Sequence, residues 1–401
     1  MDAPPPRLVR VSHCHSAPEP IDSPAVRIAI PRETAPREQR VALIPEIVAK
    51  LVKAGFAASV ETGAGTKSGH TDDAYRNAGA TIAPELAACV AGADAVCKVR
   101  EPSPDEIAML PEGSLLLGLL GRGEDPAQVE RYQARRLGVF SLHMVPRISR
   151  AQKMDALSSM AACAGYKAVL LAANASGKFF PLLMTAAGTV APSRVFVLGA
   201  GVAGLQAIAT ARRLGAVVEA FDVRPAVKEE VQSLGASFVE MSLGDAGVGA
   251  GGYAKEMDEQ RNEQIRQTIA ARLPNTDVVI STASIPGRRA PLLLTAEAVG
   301  RMKPGSVIVD LAAEGGGNCA LTQPGATVVH QGVSILGPLD LAATLPAHAS
   351  QMYSRNLYEL IMHLAKDAKL NLDWNDEITR GSCLTFDGRP TGELVTAVKG
   401  A

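Results

Sequence analysis

One stretch, Arg194 to Arg224, constrains the fold more than any other: RVFVLGAGVAGLQAIATARRLGAVVEAFDVR. Arg194–Leu198 is a short run rich in β-branched and aromatic residues, Gly199-Ala200-Gly201-Val202-Ala203-Gly204 is G-x-G-x-x-G, and Leu205–Leu214 carries apolar residues at helical spacing. The spacing predicts strand, tight turn and helix in the order a dinucleotide-binding unit requires. The first glycine permits the turn, the second lets backbone approach a pyrophosphate, and the third lets helix pack closely on strand, with the helix N-terminus facing the phosphates. A second strand, Ala216–Phe221, ends in Asp222, about 20 residues beyond the glycines, where a carboxylate can accept both ribose hydroxyls of an adenosine. That favours NAD over NADP. Arg224 could meet a 2′-phosphate, but Asp222 would repel it. With strand, helix and terminal acid all in place, dinucleotide binding is preferred to a glycine-rich turn without a ligand.

At 401 residues the chain is long enough for two domains, because single cores rarely grow past about 250–300 residues. Its formal charge of −1 makes no electrostatic case for nucleic acid or an acidic membrane surface. The six cysteines are scattered without a C-x-x-C pair, which suggests reduced, buried thiols of a cytosolic protein. His13-Cys14-His15 could hold a metal, yet it sits in a Pro- and Ser-rich stretch, so residues 1–25 are expected to be a disordered tail and no metal site is expected. No apolar run approaches the ~18–20 residues that span a bilayer, and Met1–Ser23 has prolines where a secretory signal has its apolar core. The expectation is a soluble, cytoplasmic protein.

Short apolar runs alternate with helical segments on both sides of the fingerprint. Val26–Ile30, Ala58–Glu61, Ala95–Val99, Leu115–Leu120 and Val139–Leu142 are expected strands before it, and Ser237–Glu240, Asp277–Thr282 and Ser306–Leu311 after it. Ser149–Ala175 keeps a helical period without proline and is expected to be one long helix joining the domains. Ala347–Lys369 is expected to be a helix that packs back on the first domain, followed by a polar tail from Asp373. The fold class is thus α/β with two domains, a Rossmann-type doubly wound parallel sheet and a second flavodoxin-like or Rossmann-like one. The expected boundaries are 26–148 with 340–385, 149–339 for NAD(H) binding, and a tail over 386–401.

Several segments carry a resemblance to a known family. They are Arg37–Glu46, Pro146-Arg147-Ile148-Ser149-Arg150-Ala151-Gln152-Lys153-Met154-Asp155, Met184–Val190, Gly199–Gly215, Gly251-Gly252-Tyr253-Ala254-Lys255-Glu256-Met257 and Met302–Leu311. From about Val26 to Thr385 the chain resembles the NAD(H)-binding component of proton-translocating nicotinamide nucleotide transhydrogenase and, more distantly, alanine dehydrogenase. The Pro146–Asp155 and Gly251–Met257 motifs separate the first from the second.

The resemblance implies hydride transfer between NADH on this chain and NADP on a partner subunit, coupled to proton movement through a membrane-spanning subunit. It also implies a homodimer held at the cytoplasmic face of the inner membrane through those separate partner chains, with no membrane insertion of its own. Such chemistry needs two nicotinamide rings at near-attack distance and no general base. Arg147, Gln152, Asp155 and Ser158 match the family's nicotinamide-contacting motif. As one helix, Gln152, Asp155 and Ser158 would share a face, with Arg147 just before its start. On spacing alone, a capped helix with a surface Arg–Asp pair is the plainer reading. The expected cofactor contacts are Gly199, Gly201, Val202, Ala203, Gly204, Asp222, Val223, Arg224, Tyr253, Gln264 and Ala283. Tyr253, just after a glycine-rich run, suits a lid with Met257 beside it, or else a surface anchor.

Alanine dehydrogenase resembles the chain through Arg40 and the Lys98–Pro102 segment, but its chemistry needs a histidine acid/base. The matching place near Leu119-Leu120-Gly121 has none, and Glu314 stands where that enzyme has an aspartate. Arg40 and Lys98 form either an inherited anion site or a structural ion-pair group.

Overall fold

The computed structural model describes residues 26–241, 259–284 and 289–391. The chain folds into two α/β domains. Tyr253, Met257 and the glycine-rich 244–252 lie outside the described residues.

In the first sheet the strands run Arg389–Pro390, Cys383–Phe386, Gly138–Ser141, Leu115–Gly118, Ala95–Cys97, Arg27–Ile30, Ala57–Glu61 and Thr81–Ala83. From Gly138–Ser141 onward every pairing is parallel, and Cys383–Phe386 joins antiparallel. Counted along the chain, the parallel strands stand in the order 3-2-1-4-5-6, the Rossmann rather than the flavodoxin arrangement. The second sheet runs Ser237–Phe238, Val217–Phe221, Arg194–Leu198, Val278–Ser281, Val307–Asp310, Val333–Leu336 and Thr327–His330, again 3-2-1-4-5 with an antiparallel edge.

Helices cover both faces of each sheet, so the central strands are apolar throughout. Successive residues feed opposite cores: Ile28 and Ile30 pack on one face of the first sheet and Ala29 on the other. In the second sheet Val195 and Val197 oppose Phe196 and Leu198. The helix Pro346–His363 returns to the first domain, where Ala349, Tyr353, Leu357 and Leu360 join its core.

In place of the single helix expected over Ser149–Ala175, the chain makes a 3₁₀ helix, Ser149–Met154, then breaks at Asp155 (φ −73°, ψ 80°) and begins an α-helix, Ala156–Ala175. Contrary to the sequence expectation, this α-helix is long and apolar enough to cross a bilayer by length and composition. Its side chains explain why: Ala156, Met160 and Cys163 pack in the first core and Ala168, Val169 and Ala172 in the second, so a bridging helix has little polar face to show. Gly165 lets it lie against the fingerprint helix, since a Cβ there would stand 2.1 Å from the Ala203 carbonyl oxygen.

Two further elements depart from expectation. Phe179–Val190 ends in an exposed hairpin, Leu183–Thr185 against Gly188–Val190. The segment after Asp373 is no polar tail. It forms the helix Glu377–Ser382 and the strand Cys383–Phe386, whose Cys383 and Thr385 are fully buried.

Candidate functional site

The fingerprint folds as its spacing demands. Arg194–Leu198 ends at Gly199, which is left-handed at φ +95°, and the helix Val202–Arg213 starts after Gly201. A Cβ on Gly204 would stand 1.8 Å from the Gly199 carbonyl oxygen, and one on Gly199 would stand 2.7 Å from Thr282 Oγ1. Those two glycines make the turn. A Cβ on Gly201 would meet nothing within 4 Å, so the backbone there faces open space at a helix N-terminus, as a pyrophosphate requires. Val202, on the first helical turn, is exposed at the same spot, whereas Ala203 is the residue the bridging helix packs against.

Asp222 caps the second strand, and its carboxylate is already occupied. Oδ2 accepts from Ala200 N at 2.7 Å and Arg224 Nη2 at 2.9 Å, and Oδ1 accepts from Arg224 N and Nε, both at 2.9 Å. Ribose hydroxyls can use these oxygens only by sharing them with Arg224 or displacing it. The hydrogen bonds from Arg224 to Asp222 in turn hold the guanidinium above its ordinary pKa.

Across the crevice, Thr282 Oγ1 reaches the Gly199 carbonyl at 3.0 Å. The next residue, Ala283, is fixed through its own carbonyl by Asn318 Nδ2 at 2.8 Å. Asn318 is fully buried, with Oδ1 accepting from Ser281 Oγ at 2.6 Å, and Asp310 Oδ2 accepts from its backbone N–H at 2.7 Å. Sequence reasoning does not find Asn318 or Asp310. Their only local signal is a polar pair flanking the glycine run Gly315–Gly317. Val223 and Ala283 pack partly buried on the same core face, and Gln264 is exposed on Glu259–Ala270 beside buried Ile265.

The second motif is split by the break at Asp155, so Gln152, Asp155 and Ser158 do not share a helix face. Asp155 is the N-cap: Oδ1 accepts from Ser158 N at 2.9 Å and Oδ2 from Ser158 Oγ at 2.6 Å. Gln152 and Arg147 are exposed, while Ala151 and Met154 anchor the 3₁₀ helix in the first core. Asn356 Nδ2 donates to the Lys153 carbonyl at 2.7 Å and ties this turn to Pro346–His363.

In the first domain, Arg40 and Lys98 are both buried, and both are paired inside the chain. Glu38 takes Arg40 in a fork, Oε1 from Nε at 2.7 Å and Oε2 from Nη2 at 2.6 Å. Lys98 Nζ donates to Glu106 Oε1 at 2.7 Å and lies 3.7 Å from Glu33 Oε2. Burial pushes the Glu38 and Glu106 carboxyls up, but Arg40 and Lys98 more than offset it and hold both below the usual range. Glu33 is pushed up by burial, which outweighs Lys98 and the Val99 N–H. The structural ion-pair reading of Arg40 and Lys98 is therefore the one realised. Of the three acids, only Glu106 carried a local cue, as the last residue of the capping box Ser103–Glu106.

A histidine does reach Gly121, from 22 residues downstream: Gly121 N donates to His143 Nδ1 at 3.1 Å. Burial, then Arg122, lower its pKa. This corrects the expectation of no histidine there.

With this geometry in place, comparison with known proteins decides the family. The alanine dehydrogenase/PNT N-terminal domain matches residues 29–164 and the C-terminal domain matches residues 168–393. The chain belongs to the alanine dehydrogenase/PNT family. It is 45% identical over 364 residues to the NAD(P) transhydrogenase subunit alpha of Haemophilus influenzae, covering 90% of this chain and 71% of that one. The shorter form of that alpha subunit from Rhodospirillum rubrum is 48% identical over 372 residues, covering 90% of this chain and 97% of that one. Among solved structures, the transhydrogenase from Sinorhizobium meliloti superposes with a TM-score of 0.83 at 41% identity, covering 91% of this chain and 99% of that one. An L-alanine dehydrogenase superposes at 0.76 with 26% identity, covering 94% and 99%. Within the family, the likeness to the transhydrogenases is the stronger.

Proposed function

We propose that the chain is the NAD(H)-binding component of a proton-translocating transhydrogenase, passing a hydride between NADH and NADP⁺ held on a partner subunit. The observation that carries this over the dehydrogenase reading is the first-domain charge group. Glu38, Glu106 and Glu33 neutralise Arg40 and Lys98 internally, so a 2-oxo acid carboxylate finds no uncommitted cation there. His143 beside Gly121 favours the amino-acid dehydrogenase reading, but with Nδ1 spent on a backbone N–H it offers a neutral donor at Nε2 rather than a base.

The residues present fit the dinucleotide. Gly199 and Gly204 form the turn, the open backbone at Gly201 receives the pyrophosphate, and Asp222 takes the adenosine ribose once Arg224 yields part of it. The bound nicotinamide supplies the hydride. Asp155 holds the Ser158 hydroxyl and helix start rigid, and Ser158 with Gln152 offers hydrogen bonds to the carboxamide. Arg147 stands at the motif's other end, and these groups orient the ring rather than move protons. Tyr253, with Met257, closes over the adenosine end.

In this reading the chain works as a homodimer, for which the exposed Phe179, Leu182 and Met184 at and around the hairpin offer an apolar contact surface. Proton translocation belongs to a membrane-spanning partner, and the chain sits at the cytoplasmic face. The test is transfer from NADH to a 3-acetylpyridine analogue of NAD, with and without an added NADP(H)-binding subunit and NADP(H). Turnover only in the full mixture is expected. Turnover with pyruvate and ammonium by the chain alone would overturn the reading.

A further inference from the structure

Asp340 lies where the chain leaves the second sheet for the first domain, and its backbone is left-handed at φ 53°, ψ 36°. Its carboxylate, 7% exposed, accepts from Arg37 Nε at 3.0 Å and also from Arg100 Nη2. Its backbone N–H donates to Glu314 Oε1 at 3.1 Å, on the loop that follows Val307–Asp310. Arg37 follows the first strand of the first sheet and is itself left-handed at φ 63°, and Arg100 follows Ala95–Cys97. Non-glycine residues hold that conformation only where their surroundings over-determine it, and here two of them face each other across one ion pair between domains.

The contacts continue into the motif. Arg100 Nε donates to Glu38 Oε2 at 3.2 Å, Glu38 grips Arg40, and Arg40 Nη1 lies 3.0 Å from Met160 Sδ. Met160 is on the bridging helix, one turn from its Asp155 cap. An unbroken path of polar contacts thus runs from the loop after the second sheet's fifth strand to the helix that carries Ser158.

We propose that Asp340 is a positioning residue. Its ion pairs with Arg37 and Arg100 fix the C-terminal strand edges of the two sheets relative to each other, and so set the Asp155–Ser158 helix start against the glycine turn. Its kinetic consequence rests on the transhydrogenase reading above, but its structural consequence does not.

The test separates the two. Spin labels at Glu130→Cys, on an exposed helix of the first domain, and Glu297→Cys, on one of the second, are placed in a Cys14→Ser background, the other five thiols being buried. Dipolar spectroscopy reads a narrow distance distribution in the parent and a broad or shifted one in Asp340→Asn, which keeps the left-handed backbone accessible. Arg100→Gln reproduces the broadening, and the double variant adds little, as expected for one shared contact. In the reconstituted transfer assay, Asp340→Asn lowers the rate per bound complex about tenfold while NADH affinity moves less than about threefold, the split expected when alignment rather than binding is lost. A distribution in Asp340→Asn as narrow as the parent's overturns the proposal. A parent that transfers no hydride overturns the transhydrogenase reading and leaves the distance result to decide on Asp340.

Discussion

At the switch point of the first sheet, Glu33 follows Arg27–Ile30 and Lys98 follows Ala95–Cys97, and the two side chains turn toward each other, 3.7 Å apart and buried. At the switch point of the second sheet, Gly199 follows Arg194–Leu198 and Thr282 follows Val278–Ser281, and beyond them the backbone at Gly201 meets open space. Both crevices lie between strands one and four of the same 3-2-1-4-5 order, the place where open α/β sheets take ligands. Topology therefore offers two sites, and side-chain chemistry closes one. A crevice whose charges find partners within the chain is structural, and one that leaves backbone N–H groups at a helix start uncovered is a binding site.

Glu38→Gln should break the closed crevice with the largest effect, because it strands the buried Arg40 charge. Urea unfolding at neutral pH should show a loss of about 3–5 kcal/mol. A change under about 1 kcal/mol would mean that Arg40 is not held by this pair. The pH dependence follows from the same pairs. Glu38 and Glu106 have depressed pKa values in the folded state, so their stabilisation is complete above the ordinary carboxyl value of 4.5 and is lost as pH falls through their folded values. Glu33 is raised, so its contribution runs the other way, and stability falls as pH rises from 4.5 through its folded value. Glu33→Gln should remove that fall.

The open crevice is probed by two glycines with opposite constraints. Gly204→Ala drives a methyl into the Gly199 carbonyl and should cost about 1–3 kcal/mol or more in thermal unfolding, along with NADH binding. Gly201→Ala has room, so stability should stay within about 0.5 kcal/mol while NADH affinity drops about tenfold or more, about 1.4 kcal/mol. If both variants bind NADH normally, the dinucleotide lies elsewhere. Asp155→Ala should cost about 1 kcal/mol through the lost cap. Smallest in stability, Gln152→Asn should leave NADH affinity intact and slow transfer. Collapse of affinity with the rate per bound complex unchanged would remove its orienting role.

The open crevice was the legible one, because its signals are local. Strand, glycines, helix and acid follow one another within Arg194–Arg224, and the observed Arg194–Leu198, Val202–Arg213 and Val217–Phe221 fall on that pattern. The closed crevice was not, because Arg100 and Glu38, or Val99 and Glu33, meet across more than 60 residues of chain and no spacing announces them. The break at Asp155 was hidden for a related reason. Small residues keep a helical period straight through it, and the interruption is set by Asn356 pulling on the Lys153 carbonyl from a helix two hundred residues away. Cys383–Phe386 reads as polar tail until Gly138–Ser141 is there to pair with it. His143 escaped because only the strand end, not the sequence, brings it to Gly121.

The most direct test of the difference between the crevices is a calorimetric titration of one preparation, first with NADH and then, on the NADH-saturated protein, with pyruvate. The account predicts saturable NADH binding that Gly201→Ala weakens and no heat from pyruvate. Saturable pyruvate binding that is lost in Arg40→Met or Lys98→Met would contradict it, because the first-domain crevice would then be a substrate site and not a closed ion-pair group.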